Sequence, residues 1–338
     1  MMHLKRITLP AGFAALAISQ ATARPAAPVP VARNGEKPRN VIFILSDDHR
    51  YDFMGFTGAV PWLQTPALDR MAREGACLKN AFVTTSLSSP SRASILTGLF
   101  THTHTVVDNQ APKPDDLVFF PQYLQQNGYR TAFFGKWHMG NQDDMPQPGF
   151  DHWEGFRGQG TYYNTVLNIN GERVKFDPEL YSTDILTDHA IDFVRDNEEG
   201  PFFIYLSYKS VHSGFQPSPS RKGMYKDEKA VYPPSFNVPE YGIPRLPSKD
   251  ADGRPLAGRG WYGESRLPDW VKNQRESWHG VDYQYHGALP YEEDFRNYCE
   301  TVTSMDDAIG RLLDFLQAEG LGESTLVIYM GANGFTWG

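Results

Sequence analysis

Residues 41–45 are a continuous apolar run, and residues 129–134, 202–207 and 325–330 are three further short, mainly apolar stretches that read as strands. Unbroken rather than alternating apolar character is the pattern of strands covered on both faces. Between the runs, apolar positions recur at helical spacing. Thr65-Pro66 opens a helix that carries Leu68, Met71 and Ala72 on one face and stops at Gly75. Residues 121–127 form a shorter one closed by Gly128. Residues 182–197 place Ile185, Leu186, His189, Phe193 and Val194 together. The longest, residues 294–319, aligns Phe295, Tyr298, Cys299, Val302, Met305, Ile309, Leu312, Leu313 and Leu316 and ends at Gly320. Helices alternating with buried strands predict an α/β fold built on a mostly parallel sheet. Residues 216–290 break the rhythm. They are rich in Pro, Gly, Tyr and charge and carry Trp261, Trp270 and Trp278, which predicts a long irregular excursion that shapes a substrate site. Those tryptophans either stack on sugar rings or anchor the excursion.

Composition narrows the classes. The 338 residues are 40% hydrophobic and 21% charged, as in a globular protein, and the formal net charge is −8 with no strong basic run. Nucleic acid, or a polyanion held by bulk charge, is therefore not an expected partner. An anionic substrate needs a local positive site. Residues 1–23 join a basic start (His3, Lys5, Arg6), an apolar stretch over 7–18 and a small-residue site, Ala21-Thr22-Ala23, which reads as a secretory signal. That stretch is too short to span a bilayer, and no later one is longer, so no transmembrane segment is expected. Residues 24–39, rich in Pro and Ala, read as a linker before a catalytic domain over 40–338. The expected location is secreted or periplasmic. Cys77 and Cys299 lie far apart and are expected as buried free thiols, with one disulfide open as an alternative. His102 and His104 read as surface histidines of a Thr-rich loop.

Each apolar run ends in groups that carry chemistry. Asp47 and Asp48 follow the first, Lys136 and His138 the second, His212 the third and Asn333 the fourth. In open α/β sheets, ligand sites form outside the carboxyl ends of the strands, so these groups are expected to meet. Adjacent carboxylates at a buried strand end are costly unless compensated, and a hard cation with oxygen ligands is the economical partner. A further stretch, Ser88-Ser89-Pro90-Ser91-Arg92, reads as a helix start. Pro90 suits the first helical position and Ser89 an N-cap, so Ser88 is expected just outside the helix, where free N–H groups and the helix dipole favour an anion. Arg92, about one turn on, can aim its fork at the same place. The combination suits an oxyanion such as sulfate or phosphate.

With its Leu96-Thr97-Gly98 tail, this stretch resembles the signature of the type I sulfatases, Cys/Ser-x-Pro-Ser-Arg, and Gly135-Lys136-Trp137-His138 resembles a second element of that family. The likeness covers nearly the whole chain after Asn40. It implies an alkaline-phosphatase-like α/β fold, a mixed and mostly parallel sheet between helices. It implies Ser88 as a serine-type precursor of formylglycine, formed by a separate maturation enzyme, and a Ca2+ ion held by Asp47, Asp48, Asn333 and residue 88. By the same likeness Arg92 and Lys136 hold sulfate oxygens, His138 hydrogen-bonds the formylglycine hydrate, and His212 contacts the sulfate or the leaving oxygen. One hydroxyl of the hydrate would attack sulfur and displace the alcohol, and the second hydroxyl would then lose its proton, expelling sulfate and restoring the aldehyde. His102, His104 and Val106-Val107-Asp108-Asn109 look most like sulfatases of sulfated sugars, N-acetylglucosamine-6-sulfatases among them; an aryl sulfate is the alternative substrate. Two departures stand out. Ala332 occupies the place of an expected metal-binding aspartate. The chain also stops at Gly338, before a further lysine and a small antiparallel C-terminal subdomain, so the expectation is a truncated catalytic domain. Two other readings follow: a phosphodiester or phosphonate hydrolase of the same superfamily, or an inactive binder of sulfated glycans.

Overall fold

The computed structural model describes residues 38–140, 142–197, 200–233, 291–335 and 337. The expected signal over 1–23, all but the end of the linker over 24–39, and the tryptophans of the 216–290 excursion lie outside the described residues. Seven strands form one sheet: β1 (Asn40–Ser46), β2 (Arg130–Lys136), β3 (His152–Phe156), β4 (Val166–Ile169), β5 (Glu172–Lys175), β6 (Phe202–Ser207) and β7 (Thr325–Gly331), in the order β5-β4-β3-β2-β6-β1-β7. From β3 to β7 every neighbouring pair is parallel; β4 and β5 run antiparallel at one edge. The helices are α1 (Pro66–Glu74), α2 (Ser88–Thr97), α3 (Thr101–His104), α4 (Phe120–Gln126), α5 (Ser182–Arg195) and α6 (Tyr291–Ala318). Among the described residues, no helix is long and apolar enough to cross a membrane.

The sheet separates two apolar layers. Ile42 and Ile44 of β1 point to one side, into a cluster with Leu186 of α5 and Met305, Ile309 and Leu312 of α6. Phe43 and Leu45 point to the other, into a cluster with Ala93 and Leu96 of α2, Phe119, Phe133 and Trp153. Covering both faces is why the stretches are mainly apolar rather than alternating. At the antiparallel edge, β4 and β5 form a hairpin around Asn170-Gly171, which adopt φ of 50° and 102°. Both residues tolerate the left-handed region that such two-residue turns need. The strands flanking this turn are only four residues each, and β5 is largely polar, so a reading of apolar runs passes over them, and over β3 with its buried Glu154.

Gly135 is required by packing. Its φ is 104°, and a Cβ there would sit 1.9 Å from the Ser207 carbonyl oxygen of β6. Only glycine lets β2 pass this close to β6 one residue before Lys136.

Glu154 ties β3 to α5. It accepts from His152 Nε2 at 2.8 Å and from His189 Nδ1 at 2.5 Å. Burial pushes the Glu154 carboxyl up, but the two imidazole hydrogen bonds outweigh it and hold the group below its ordinary value. The hydrogen bond to Glu154 raises His189 against the opposing effect of burial. The Glu154 contribution is therefore present above its ordinary pKa of 4.5 and is lost as pH falls. The His189 contribution is full below its ordinary 6.5 and is lost as pH rises. Glu154→Gln is expected to cost about 1–2 kcal/mol near pH ~5.5 and clearly less near pH ~8.5, read by urea unfolding. An equal loss at both would remove the ion pair from the account.

Candidate active site at the carboxyl edge of the sheet

β1, β2 and β6 end side by side, and an arginine from α2 binds them together. Arg92 Nη1 donates to the Lys136 carbonyl at 2.8 Å and to Ser207 Oγ at 2.6 Å, and Ser207 Oγ donates to the same carbonyl at 2.8 Å. Arg92 Nη2 donates to Asp47 Oδ1 at 3.2 Å. Lys136 Nζ donates to Asp47 Oδ2 and to Gln159 Oε1. Asp47 and Lys136 are fully buried and Arg92 nearly so. Burial alone would push Asp47 up; Lys136 and Arg92 override it and hold the carboxyl well below the usual carboxylate range. Burial pulls Lys136 down to about 8 against the attraction of Asp47. The backbone also locks Asp47 to the segment after β6: its N–H donates to the Ser210 carbonyl at 2.8 Å, and Val211 N–H donates to the Asp47 carbonyl at 2.6 Å.

Asp48 turns through a left-handed φ of 58°. Burial and the neighbouring Asp47 charge raise it to about 7. Its nearest basic partner is His212 Nε2 at 3.8 Å, beyond a hydrogen bond. Burial, then Lys136, lowers His212 to about 3. His138 follows Lys136 at a φ of 52°, and burial together with Lys136 and Arg92 lowers it to about 2. Both imidazoles are therefore neutral near pH 7, with one N–H each to donate. His138 Nδ1 and Arg92 Nε are buried without a partner among the described residues. A buried polar nitrogen without a partner costs about 1–3 kcal/mol, so such atoms point to a ligand.

Ser88 is the first residue of α2 rather than a position outside it, and Leu87 is the N-cap. Ser89 does not cap the helix: its Oγ donates to the His138 carbonyl, and its N–H donates to Asn109 Oδ1 at 2.9 Å. The correction is of one or two residues and has a cause, since the Ser89 hydroxyl is engaged as a donor across the site instead of accepting from its own helix. Ser88 is buried, and among the described residues its hydroxyl has no hydrogen-bond partner.

β7 completes the rim. Gly331 pairs with Ser46, Ala332 N–H donates to the Ser46 carbonyl at 2.9 Å, and Phe335 N–H donates to the Asp48 carbonyl at 3.0 Å. Asn333 thus lies at the Asp48 end of β1. Its Nδ2 donates to the Gly334 carbonyl at 3.0 Å, while its Oδ1 accepts from no described residue. The Asp48 carboxylate also accepts no hydrogen bond from the described residues. Acceptor oxygens without donors among the described residues, from two chain segments, fit a hard cation. Ala332 adds nothing to that set; its methyl group is sealed into the apolar layer around Leu45 and Ala93. Among the described residues, no group of three or more His, Cys, Asp or Glu could hold a metal, so the set rests on carboxylate, amide and residue-88 oxygens.

The family model described as Sulfatase matches residues 39–337. The chain belongs to the sulfatase family. An N-acetylglucosamine-6-O-sulfatase of Bacteroides thetaiotaomicron is 32% identical over 339 residues, covering 89% of this chain and 59% of the relative. A solved protein in complex with its substrate D-glucosamine-2-N,6-O-disulfate superposes with a TM-score of 0.70 at 29% identity, over 89% of this chain and 66% of that one. A phosphonate monoester hydrolase of Agrobacterium radiobacter, at 17% identity, TM-score 0.58, 88% of this chain and 64% of that one, shares the fold alone. The chain therefore spans about three-fifths of the length of the curated relative. Its sheet, mostly parallel and flanked by helices, is the alkaline-phosphatase-like sulfatase fold.

Within this sulfatase fold, Asp47, Arg92 and Lys136 form one ion-paired cluster, with Asp48, His138 and His212 close enough to share its electrostatics. The structure attaches Ser88 through Ser89 and Asn333 through the β1–β7 pairing. Sequence reasoning missed Gln159 and Ser207, which hold the charged groups in place, while Asn109, quoted only as part of a likeness, fixes the backbone of Ser89. Gln159 follows β3, and the rule that polar groups after strands matter would have found it had β3 been recognised. His104 is not a surface histidine. It is buried in α3, facing Ser94 Oγ at 3.0 Å through Nε2, while Nδ1 accepts from Val106 N–H at 3.1 Å; the helix formed by Thr101–His104 turns it inward. His102 is exposed and stacks on Phe100. The cysteines are both free: Cys299 is buried as expected, but Cys77 is exposed.

Proposed function

We propose that this chain is the catalytic part of a sulfatase that hydrolyses sulfate esters of carbohydrates, glucosamine 6-sulfates being the favoured class. The observation that carries the reading is the buried Arg92–Asp47–Lys136 cluster, with two neutral histidines and two unpartnered nitrogens, at the carboxyl edge of the sheet. Fixed positive groups in a dry site stabilise negative charge spread over the oxygens of a tetrahedral anion. Arg92 and Lys136 hold the sulfate oxygens. His138, through an N–H, orients residue 88, and His212 donates to the oxygen of the departing alcohol. Ser88 is the precursor of formylglycine, made by a separate maturation enzyme. Asp47, Asp48, Asn333 and residue 88 would hold Ca2+, with Asp47 sharing its carboxylate with Lys136 and Arg92. The modified residue supplies a nucleophile that serine lacks, and the cation lowers its proton affinity. The secretory signal over 1–23 fits export to the periplasm or medium, and the 216–290 excursion fits a region that shapes the sugar site.

The matured full-length protein is expected to turn over p-nitrophenyl sulfate with a kcat/KM on the order of 10²-fold above that for p-nitrophenyl phosphate, and to release sulfate from N-acetylglucosamine 6-sulfate. Faster phosphate than sulfate turnover would refute the sulfatase reading in favour of a phosphoester or phosphonate hydrolase. Binding of sulfated sugars without turnover would favour the inactive binder.

A further inference from the structure

Next to the charged rim, the loop after β3 and the segment after β6 line a half-open cavity of about 380 Å³, with Gly160, Tyr162, Asn164, Lys209, Ser213 and Gln216 in its wall. Lys209 is its one charged lining residue among the described residues. It is only 7% exposed, yet its ammonium has one hydrogen-bond acceptor among the described residues, the Gln159 carbonyl at a long 3.4 Å. An ammonium has three donors, so two find no acceptor there. Nζ lies 4.9 Å from the centre of the Tyr162 ring, whose face attracts a cation. The Asp47 and Asp48 charges favour the ammonium from beyond ion-pair distance, but burial outweighs them, and with no carboxylate in direct contact among the described residues the cation is costly to bury. The cavity is also wired to the rim. Gln159 receives Lys136 on its side chain and Lys209 on its carbonyl, and Tyr162 OH donates to the His212 carbonyl at 2.8 Å.

We infer that this cavity is a subsite for a second anionic substituent of the substrate, a further sulfate or a carboxylate on the same or the adjoining sugar, with Lys209 as its counterion. The inference rests on the sulfatase reading for the identity of the substrate, but not for the existence of the subsite. On the proposed reading Lys136 and Arg92 are matched to one tetrahedral anion, whereas Lys209 lines the neighbouring cavity, on the other side of Gln159 from Lys136. Asn164, Ser213 and Gln216 supply neutral donors and acceptors suited to sugar hydroxyls. The arrangement therefore discriminates by charge count: a sugar with two anionic groups engages both lysines, and a singly sulfated one leaves Lys209 unpaired.

The test is direct binding by isothermal titration to the full-length Ser88→Ala protein, which cannot turn over, using N-acetylglucosamine 6-sulfate and glucosamine N,6-disulfate as probes. The disulfate is expected to bind about tenfold tighter, the scale of one charge-assisted contact. Adding Lys209→Met, which keeps the apolar stem over Tyr162, is expected to bring the ratio of the two dissociation constants close to one. Adding Lys209→Arg is expected to restore most of it. Unfolding curves confirm that the variants are folded. No preference before substitution, or a preference that survives Lys209→Met, would overturn the subsite. Turnover of the matured protein is followed separately: a chain that hydrolyses neither sugar but keeps a Lys209-dependent preference would sink the hydrolase reading and leave the subsite standing.

Discussion

Asp47→Ala is expected to lower the unfolding free energy by about 3–5 kcal/mol and to abolish turnover. Both effects have one cause. Lys136 and Arg92 are buried, and Asp47 is the carboxylate that pairs with both. Removing it leaves two cations facing each other in a dry site, where their repulsion is screened far less than in water. The loss of stability should be partly recovered by a second substitution, Asp47→Ala with Lys136→Met, because the unpaired ammonium is then gone as well. Activity should not return, since the double variant also lacks a group placed to hold a sulfate oxygen. Urea unfolding of the single and double variants reads the first part and sulfate release the second. A single-variant loss below about 1 kcal/mol, within the range of an exposed ion pair, would show that the cluster is not held by Asp47.

That cluster also shows where sequence reasoning succeeds and where it stops. Asp47, Lys136 and His212 were legible because each follows a mainly apolar stretch, and a buried parallel strand ends at a predictable edge. Arg92 was legible because it sits one turn into a helix whose start Pro90 marks. The fixed partners of these groups were not. Gln159 follows a strand containing a histidine, a buried glutamate and a glycine, and a polar strand gives no run to read. Ser207 looks like the last residue of an apolar strand; its hydroxyl matters only because Arg92 arrives from 115 positions earlier. Lys209 and His104 fail for the same reason. Polar residues near strand and helix ends look solvated until tertiary contacts bury them, and burial depends on the whole fold. The antiparallel edge was missed for a different reason: Asn170-Gly171 is a strong turn signal, but its strands are short and exposed on one side.

Ser88→Ala is expected to reduce sulfate-ester turnover by on the order of 10⁴-fold or more, and unconverted Ser88 should be nearly as inactive. An ordinary serine attacks only when a neighbouring base takes its proton. Among the described residues, none is hydrogen-bonded to Ser88 Oγ. His138 is not such a base in waiting: burial and the two cations beside it hold its proton affinity far down, to about 2, so it would yield a proton more readily than take one. The positive site that suits a sulfate therefore works against an unmodified serine, whose alkoxide needs a base the site does not offer. Oxidation of Ser88 to the aldehyde changes this, because the hydrated form carries a second hydroxyl that can expel the sulfate once it is attached. Three preparations separate the cases: protein made without the maturation enzyme, protein made with it, and Ser88→Ala made with it. The second alone should turn over sulfate esters, and its tryptic peptide around position 88 should show the loss of a pair of hydrogens. Equal turnover with and without conversion would mean that the serine itself is activated by a group outside the described residues, and the roles assigned to His138 and to residue 88 would both have to be withdrawn.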